Sequence, residues 1–191
     1  SDVCSSDLKC LLHVNGRSIL DHQLEALLAA GVERIYIVTG FRGDVLRKHV
    51  GDRPRVQFVE NADFLTTNNM FSLHLCRENV AGRDFILMNG DVVFDPTIIR
   101  DLCRQERSSI CVDVGSYSEE SMKVVGGELL THISKKIPKE QALGSSIDVY
   151  LFRRDESARL FEHLRTVIEE QGRLKEWTEV ALDELMQSGR L

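Results

Sequence analysis

The chain is poor in proline, with 3 among 191 residues, and has 13 glycines, which excludes collagen-like and low-complexity architectures. It lacks the pattern of a disulfide or zinc framework. Cys4, Cys10, Cys76, Cys103 and Cys111 are odd in number and form no CxxC pair or Cys/His metal spacing. They read as reduced thiols, and the expected compartment is the cytoplasm. No apolar run approaches the roughly 20 residues that span a bilayer, and the N-terminus has no signal-peptide pattern. Positive charge is not in excess either: 24 Lys+Arg stand against 30 Asp+Glu, a net charge of −6. A broad nucleic-acid surface therefore finds no support, although a local basic pocket stays open.

What is present suffices for a folded core. Hydrophobic residues make up 42% of the chain and charged residues 28%. A chain of this length buries roughly 70% of its unfolded surface without staples. Ser1 to Leu8 carry no periodic pattern and read as a leader, unrelated to the rest or disordered. From Lys9 onward, short apolar runs alternate with amphipathic stretches. Ile35 to Val38, Val56 to Val59, Phe85 to Met88 and Ile110 to Val114 read as strands, the apolar ones buried on both faces. Between them, Ser18 with Asp21 starts a helix that Gly31 stops. Further helices are expected near Asp44 to Val50, over Met70 to Cys76, and after Asp95–Pro96. Lys123 to Val125, Gly126–Gly127 and Leu129 to Ile133 read as a hairpin. A strand over Ile147 to Phe152 and two helices, about Glu156 to Gln171 and Trp177 to Gln187, complete the chain. The expected fold is α/β: a Rossmann-like, mostly parallel mixed sheet with helices on both faces.

Ligands of open parallel sheets bind beyond the carboxyl ends of the strands. Asp91 follows Phe-Ile-Leu-Met-Asn-Gly at such an end, where Gly90 leaves room for close approach. A carboxylate there suits Mg2+, held with substrate phosphates, and equally suits a turn cap. Of Asn68 and Asn69, one caps a helix; the second is surplus, and its amide is a candidate for reading a base edge. Lys135, Lys136 and Lys139 form a basic run that is either a solvated face or, through Lys136, a phosphate contact. Lys9 is ambiguous on pattern. The six histidines show no HExxH spacing, and there is no GxSxG elbow or P-loop. Gly40 and Gly43 match too little of a GxGxxG fingerprint to support a nicotinamide oxidoreductase.

In order and spacing, these segments resemble the sugar-phosphate nucleotidylyltransferase superfamily. Lys9-Cys-Leu-Leu-His-Val-Asn-Gly-Arg-Ser-Ile-Leu-Asp-His-Gln-Leu-Glu is similar to its "PKCLLxVxGxPILxxQLE" stretch, and Phe85 to Asp91 to its "ilxxGD" strand. Asn68-Asn-Met-Phe-Ser-Leu is similar to the "NNxxSL" helix start of the phosphocholine cytidylyltransferase-like branch. Ile133-Ser-Lys-Lys-Ile-Pro and Ser145-Ser-Ile-Asp-Val-Tyr resemble its substrate-side hairpin and strand. The resemblance implies that Asp91 is a magnesium ligand, that Lys9 and Gly90 lie by the nucleotide phosphates, and that Asn68 and Asn69 lie near the base. It implies Lys136, Ser145 and Ser146 on the side of the acceptor. It also implies a reaction: a phosphate or phosphonate oxygen attacks the α-phosphorus of a nucleoside triphosphate and pyrophosphate leaves. CTP and a small phosphorylated alcohol such as phosphocholine are the expected partners. A sugar 1-phosphate with UTP or dTTP, or a non-catalytic nucleotide-binding module, are the alternatives.

The chain departs from the family pattern at both ends. A Gly-rich first loop of the form "LAAGxGxRLxPxTxxxPK" has no counterpart before Lys9, and no "vEID" metal strand appears before Leu191. Residues 9–191 are therefore expected to form an incomplete domain, with a gap at the sheet centre and weak or absent turnover.

Overall fold

The computed structural model describes residues 8–115 and 117–190. The leader expected over Ser1 to Leu8 thus lies, but for Leu8, outside the described residues. A 3-10 turn over Lys9–Leu11 leads into a small antiparallel hairpin, β1 (His13–Val14) and β2 (Arg17–Ser18). The order is then α1 (Ile19–Ala29), β3 (Ile35–Thr39), α2 (Gly43–Val50), β4 (Val56–Glu60), α3 (Asn69–His74), α4 (Arg77–Val80), β5 (Phe85–Met88), α5 (Thr97–Cys103) and β6 (Ser109–Asp113). The second half runs β7 (Lys123–Gly126), β8 (Leu130–Ser134), β9 (Gly144–Phe152), α6 (Arg154–Arg165) and α7 (Thr178–Gln187).

Local chemistry sets the boundaries. Ser18 Oγ accepts the Asp21 N–H at 3.1 Å, capping α1, and Gly31 ends it at φ +85°. Asp95 Oδ1 accepts from Thr97 N at 2.8 Å, and Pro96, at φ −54° and ψ −23°, already has helical dihedrals at the start of α5. The long helix expected from Glu156 to Gln171 is α6 followed by a π-helical turn over Thr166–Glu170, stopped at Gly172 with φ +67°.

The α/β class holds, with both parallel and antiparallel pairing. β3 and β4 pair in parallel, Ile35 with Val56 through Thr39 with Glu60. The larger sheet is antiparallel: β9 pairs with β5, β6 and β7, and β7 with β8. The alternation of strands and helices suggested a higher share of parallel pairs. β9 is the reason for the difference, since this nine-residue strand arrives from a hairpin and runs against three neighbours.

Helices cover both faces, and β9 divides the core by simple alternation. Val149 and Leu151 join Leu24, Leu27, Leu46, Ile99 and Leu102 under α1, α2 and α5. Tyr150 and Phe152 join Met70, Leu160, Leu164, Leu182 and Leu185 under α3, α6 and α7. One expectation fails: Tyr36, Ile37, Val38 and all of β5 are half-buried, not buried on both faces. Among the described residues β3 and β5 are not bonded to each other, and both line a cavity of about 780 Å³.

Candidate active site

The candidates gather where β5 ends and β9 turns. Asn89–Gly90 carries the chain out of β5, so that Asp91 leaves the strand end with its side chain 45% exposed. A Cβ on Gly90 would meet only Cys10 Cβ, at an ordinary 3.7 Å. Packing within the protein therefore does not demand glycine here; the missing side chain leaves room above the turn. Gln23, buried in α1, fixes the same turn by donating to the carbonyls of Asn89 at 2.9 Å and Val92 at 2.8 Å. The turn at Lys9–Leu11 brings Lys9 Nζ to 3.7 Å from Asp91 Oδ2. A cation and a carboxylate thus share one exposed ledge.

β9 supplies a second carboxylate that sequence reasoning did not single out. Asp148 takes φ +57°, a left-handed conformation uncommon for a residue with a side chain. Its carbonyl accepts the Asn89 N–H at 3.2 Å, tying the two strand ends together. Burial pushes the Asp148 carboxyl up; the charge of Asp91 adds to this, while Asn89, Tyr150 and Lys135 oppose it. Behind it lies a buried network. The Tyr150 hydroxyl donates to Glu179 Oε1 at 2.7 Å, stands 3.3 Å from Asp148 Oδ1, and accepts from Ser146 Oγ at 3.0 Å. Burial raises both the Tyr150 and the Glu179 pKa.

The hairpin lysine that faces this cluster is Lys135, not Lys136. β8 ends at Ser134, and Lys135 and Lys136 lie in the turn that follows, between the buried Ile133 and Ile137. Lys135 Nζ lies 4.3 Å from the Trp177 ring centroid, 2.7 Å from Glu120 Oε2, and acts on Asp148 and Glu179 by its charge. Lys136, expected to turn inward, is exposed.

The serines part in the same way. Ser146 joins the Tyr150 network and accepts the Asp148 N–H at 3.0 Å. Ser145 is buried beside Lys123 in the neighbouring strand, its Oγ without a hydrogen-bond partner. Asn68 and Asn69 are brought together with α7. Asn68 Oδ1 accepts the Asn69 N–H at 2.8 Å and its Nδ2 donates to the Lys175 carbonyl at 3.2 Å. Asn69 Oδ1 accepts the Thr178 N–H at 2.9 Å, serving the first residue of α7. The amide that was surplus to one helix therefore caps another, and Asn69 lines the cavity beside Glu179.

Among the described residues no group of three or more His, Cys, Asp or Glu side chains is placed to hold a metal ion. No helix among these residues is long and apolar enough to cross a membrane.

Lys9 and Asp91 thus stand beyond the end of β5, the side on which open α/β sheets bind their ligands. The model of the MobA-like NTP transferase domain matches residues 6–185, and the chain belongs to that family. It is 36% identical over 104 residues to CMP-5'-(3-aminopropyl)phosphonate synthase of Streptomyces rubellomurinus, a match covering 53% of this chain and 16% of that protein. The chain thus spans a small part of that relative. Among solved structures, it superimposes on CTP:phosphocholine cytidylyltransferase from Streptococcus pneumoniae with a TM-score of 0.71 and 20% identity, covering 94% of this chain and 76% of the other. The inositol-1-phosphate CTP transferase from T. maritima gives a TM-score of 0.77 and 19% identity, covering 98% and 76%. At these identities the two structures establish the fold.

Proposed function

We propose that the chain is a nucleotidyltransferase domain that moves CMP from CTP to the phosphate or phosphonate of a small acceptor, phosphocholine being the model compound, with release of pyrophosphate. The observation that carries this reading is the Lys9–Asp91 pair on the ledge above Gly90, with Asp148 beside it and Lys135 facing it from the hairpin. Transfer at phosphorus needs in-line positioning and neutralised charge more than a nucleophilic side chain. Lys9 would bind nucleotide phosphate, and Lys135, rather than Lys136, would bind the acceptor phosphate. Asp91, with Asp148, would hold Mg2+, which supplies charge neutralisation on the phosphates when bound. The names of the phosphonate synthase and of the phosphocholine cytidylyltransferase support a cytidylyl donor and a phosphorus-oxygen acceptor.

With an open cavity beside the site, turnover by this chain alone is expected to be slow, so binding is the cleaner test. CTP and UTP are titrated into the chain with and without magnesium chloride. The expected result is magnesium-dependent binding, with CTP held at least about tenfold more tightly, or roughly 1.4 kcal/mol. Tighter UTP binding would move the reading to sugar 1-phosphate transfer, and no magnesium-dependent binding of either nucleotide contradicts it.

A further inference from the structure

Lys123, the first residue of β7, is a buried cation without a counter-ion. It is 4% exposed, yet among the described residues it forms no ion pair. Its ammonium donates only to the carbonyls of Ser118, at 3.3 Å, and Ser121, at 3.2 Å. Charges taken out of water are ordinarily paired, because neutral dipoles repay little of the lost hydration.

A second unanswered group stands beside it. Lys123 and Ser145 are direct partners across β7 and β9, so their side chains share one face of the sheet. Ser145 is also 4% exposed, and its hydroxyl has no hydrogen-bond partner. The carboxylate of this row, Asp113, stands one strand beyond Ser145 and accepts the Gly115 N–H at 2.7 Å. An ammonium and a hydroxyl side by side, neither of them answered, call for an anion with several oxygens.

The pair is covered by a strap, Ser118 to Ser121, whose two ends are bonded to each other. Ser121 Oγ accepts the Ser118 N–H at 3.1 Å and lies 2.8 Å from Ser118 Oγ. The outer tie of this turn runs from Glu120 to Lys135 Nζ at 2.7 Å, and the Glu120 side chain is 86% exposed. Lys135 is the lysine that faces the candidate site. An anion that arrives there competes with Glu120 and so releases the strap from above Lys123.

We propose that Lys123 and Ser145 form the inner half of a phosphate site, closed in the free chain by the Ser118 and Ser121 carbonyls, and that its occupant is the phosphate or phosphonate group of the acceptor. Its place beside the hairpin, on the side of Lys135 and not of Lys9, selects the acceptor over the nucleotide. The occupant's identity rests on the nucleotidyltransferase reading; the need for an anion rests on Lys123 and Ser145 alone.

The test uses the chain as it is, with inorganic phosphate and phosphocholine as probes and chloride at matched ionic strength as control. Binding is read by calorimetry and by the emission of Trp177, the sole tryptophan, which lies against Lys135. Both probes bind saturably. Lys123→Met weakens them about tenfold and, without phosphate, melts no lower than the unaltered chain, since an unpaired buried charge is gone. Ser145→Ala removes a hydroxyl that holds nothing in the free chain, so the fold is kept, and it weakens phosphate about fivefold, the loss of one neutral hydrogen bond. Unchanged phosphate affinity in either variant overturns the proposal. Magnesium-dependent CTP binding is measured alongside. If the chain binds CTP but neither probe, this proposal falls and the nucleotidyltransferase reading stands. If phosphate binding needs Lys123 while CTP does not bind, the anion site stands and that reading falls.

Discussion

The Tyr150 hydroxyl and the Glu179 carboxylate meet across 2.7 Å in the interior, joining the central strand β9 to the start of α7. Behind the candidate site, this bond holds the floor on which Asp148 and Ser146 rest. Tyr150→Phe removes the donor and leaves a buried carboxylate without it. The expected cost is about 1–3 kcal/mol in urea-monitored stability. A change within a few tenths would show that Glu179 is satisfied elsewhere.

The corner formed by α1 and α2 should be acid-sensitive. Burial opposes ionisation of Asp21, but bonds from Ser18, Arg53 and His49 outweigh it and lower its pKa from 3.8 to about 2. A depressed carboxylate contributes stability that is present above about pH 4 and lost as pH falls through 2. Asp21→Asn is expected to cost on the order of 2 kcal/mol at pH 7 and to remove that part of the loss between pH 4 and 2. Parallel acid profiles of the two proteins would refute this.

Asn69 offers a choice between cap and base reader. Asn69→Ala removes the acceptor for the Thr178 N–H and is expected to cost about 1 kcal/mol of stability. If the cap is its whole role, the preference for CTP over UTP stays unchanged in the folded variant. A collapse of that preference would assign the amide to the base.

Lys135 and Lys136 separate in the same manner. Phosphocholine binding, measured by equilibrium dialysis with CTP and magnesium present, should weaken about tenfold in Lys135→Ala, the loss of one charge-assisted contact. Lys136→Ala should leave it unchanged. The reverse pattern would return the acceptor role to Lys136.

The local features of the fold were legible because they depend on neighbours in sequence. The Ser18 cap, the glycine stops at Gly31 and Gly172, and the apolar strands all follow from spacing a few residues long. Asp91 was legible for the same reason, as the first charged residue after an apolar run. What stayed hidden depends on distant partners. The need of Thr178 for the Asn69 oxygen, and of Glu179 for the Tyr150 hydroxyl, exists only once α7 has docked. Asp148 reads as an ordinary member of a strand until its backbone turns left-handed beside Asn89. The half-buried faces of β3 and β5 were hidden too, since an apolar run signals burial but does not show which neighbour supplies it.

The central claim is that Asp91 and Lys9 form the phosphate end of a magnesium-dependent nucleotide site. Calorimetric titration of CTP into the chain and into Asp91→Asn, with and without magnesium, tests it most directly. Magnesium should tighten CTP binding to the chain at least about tenfold and leave the Asn variant unaffected. Equal magnesium enhancement in both proteins would contradict the account.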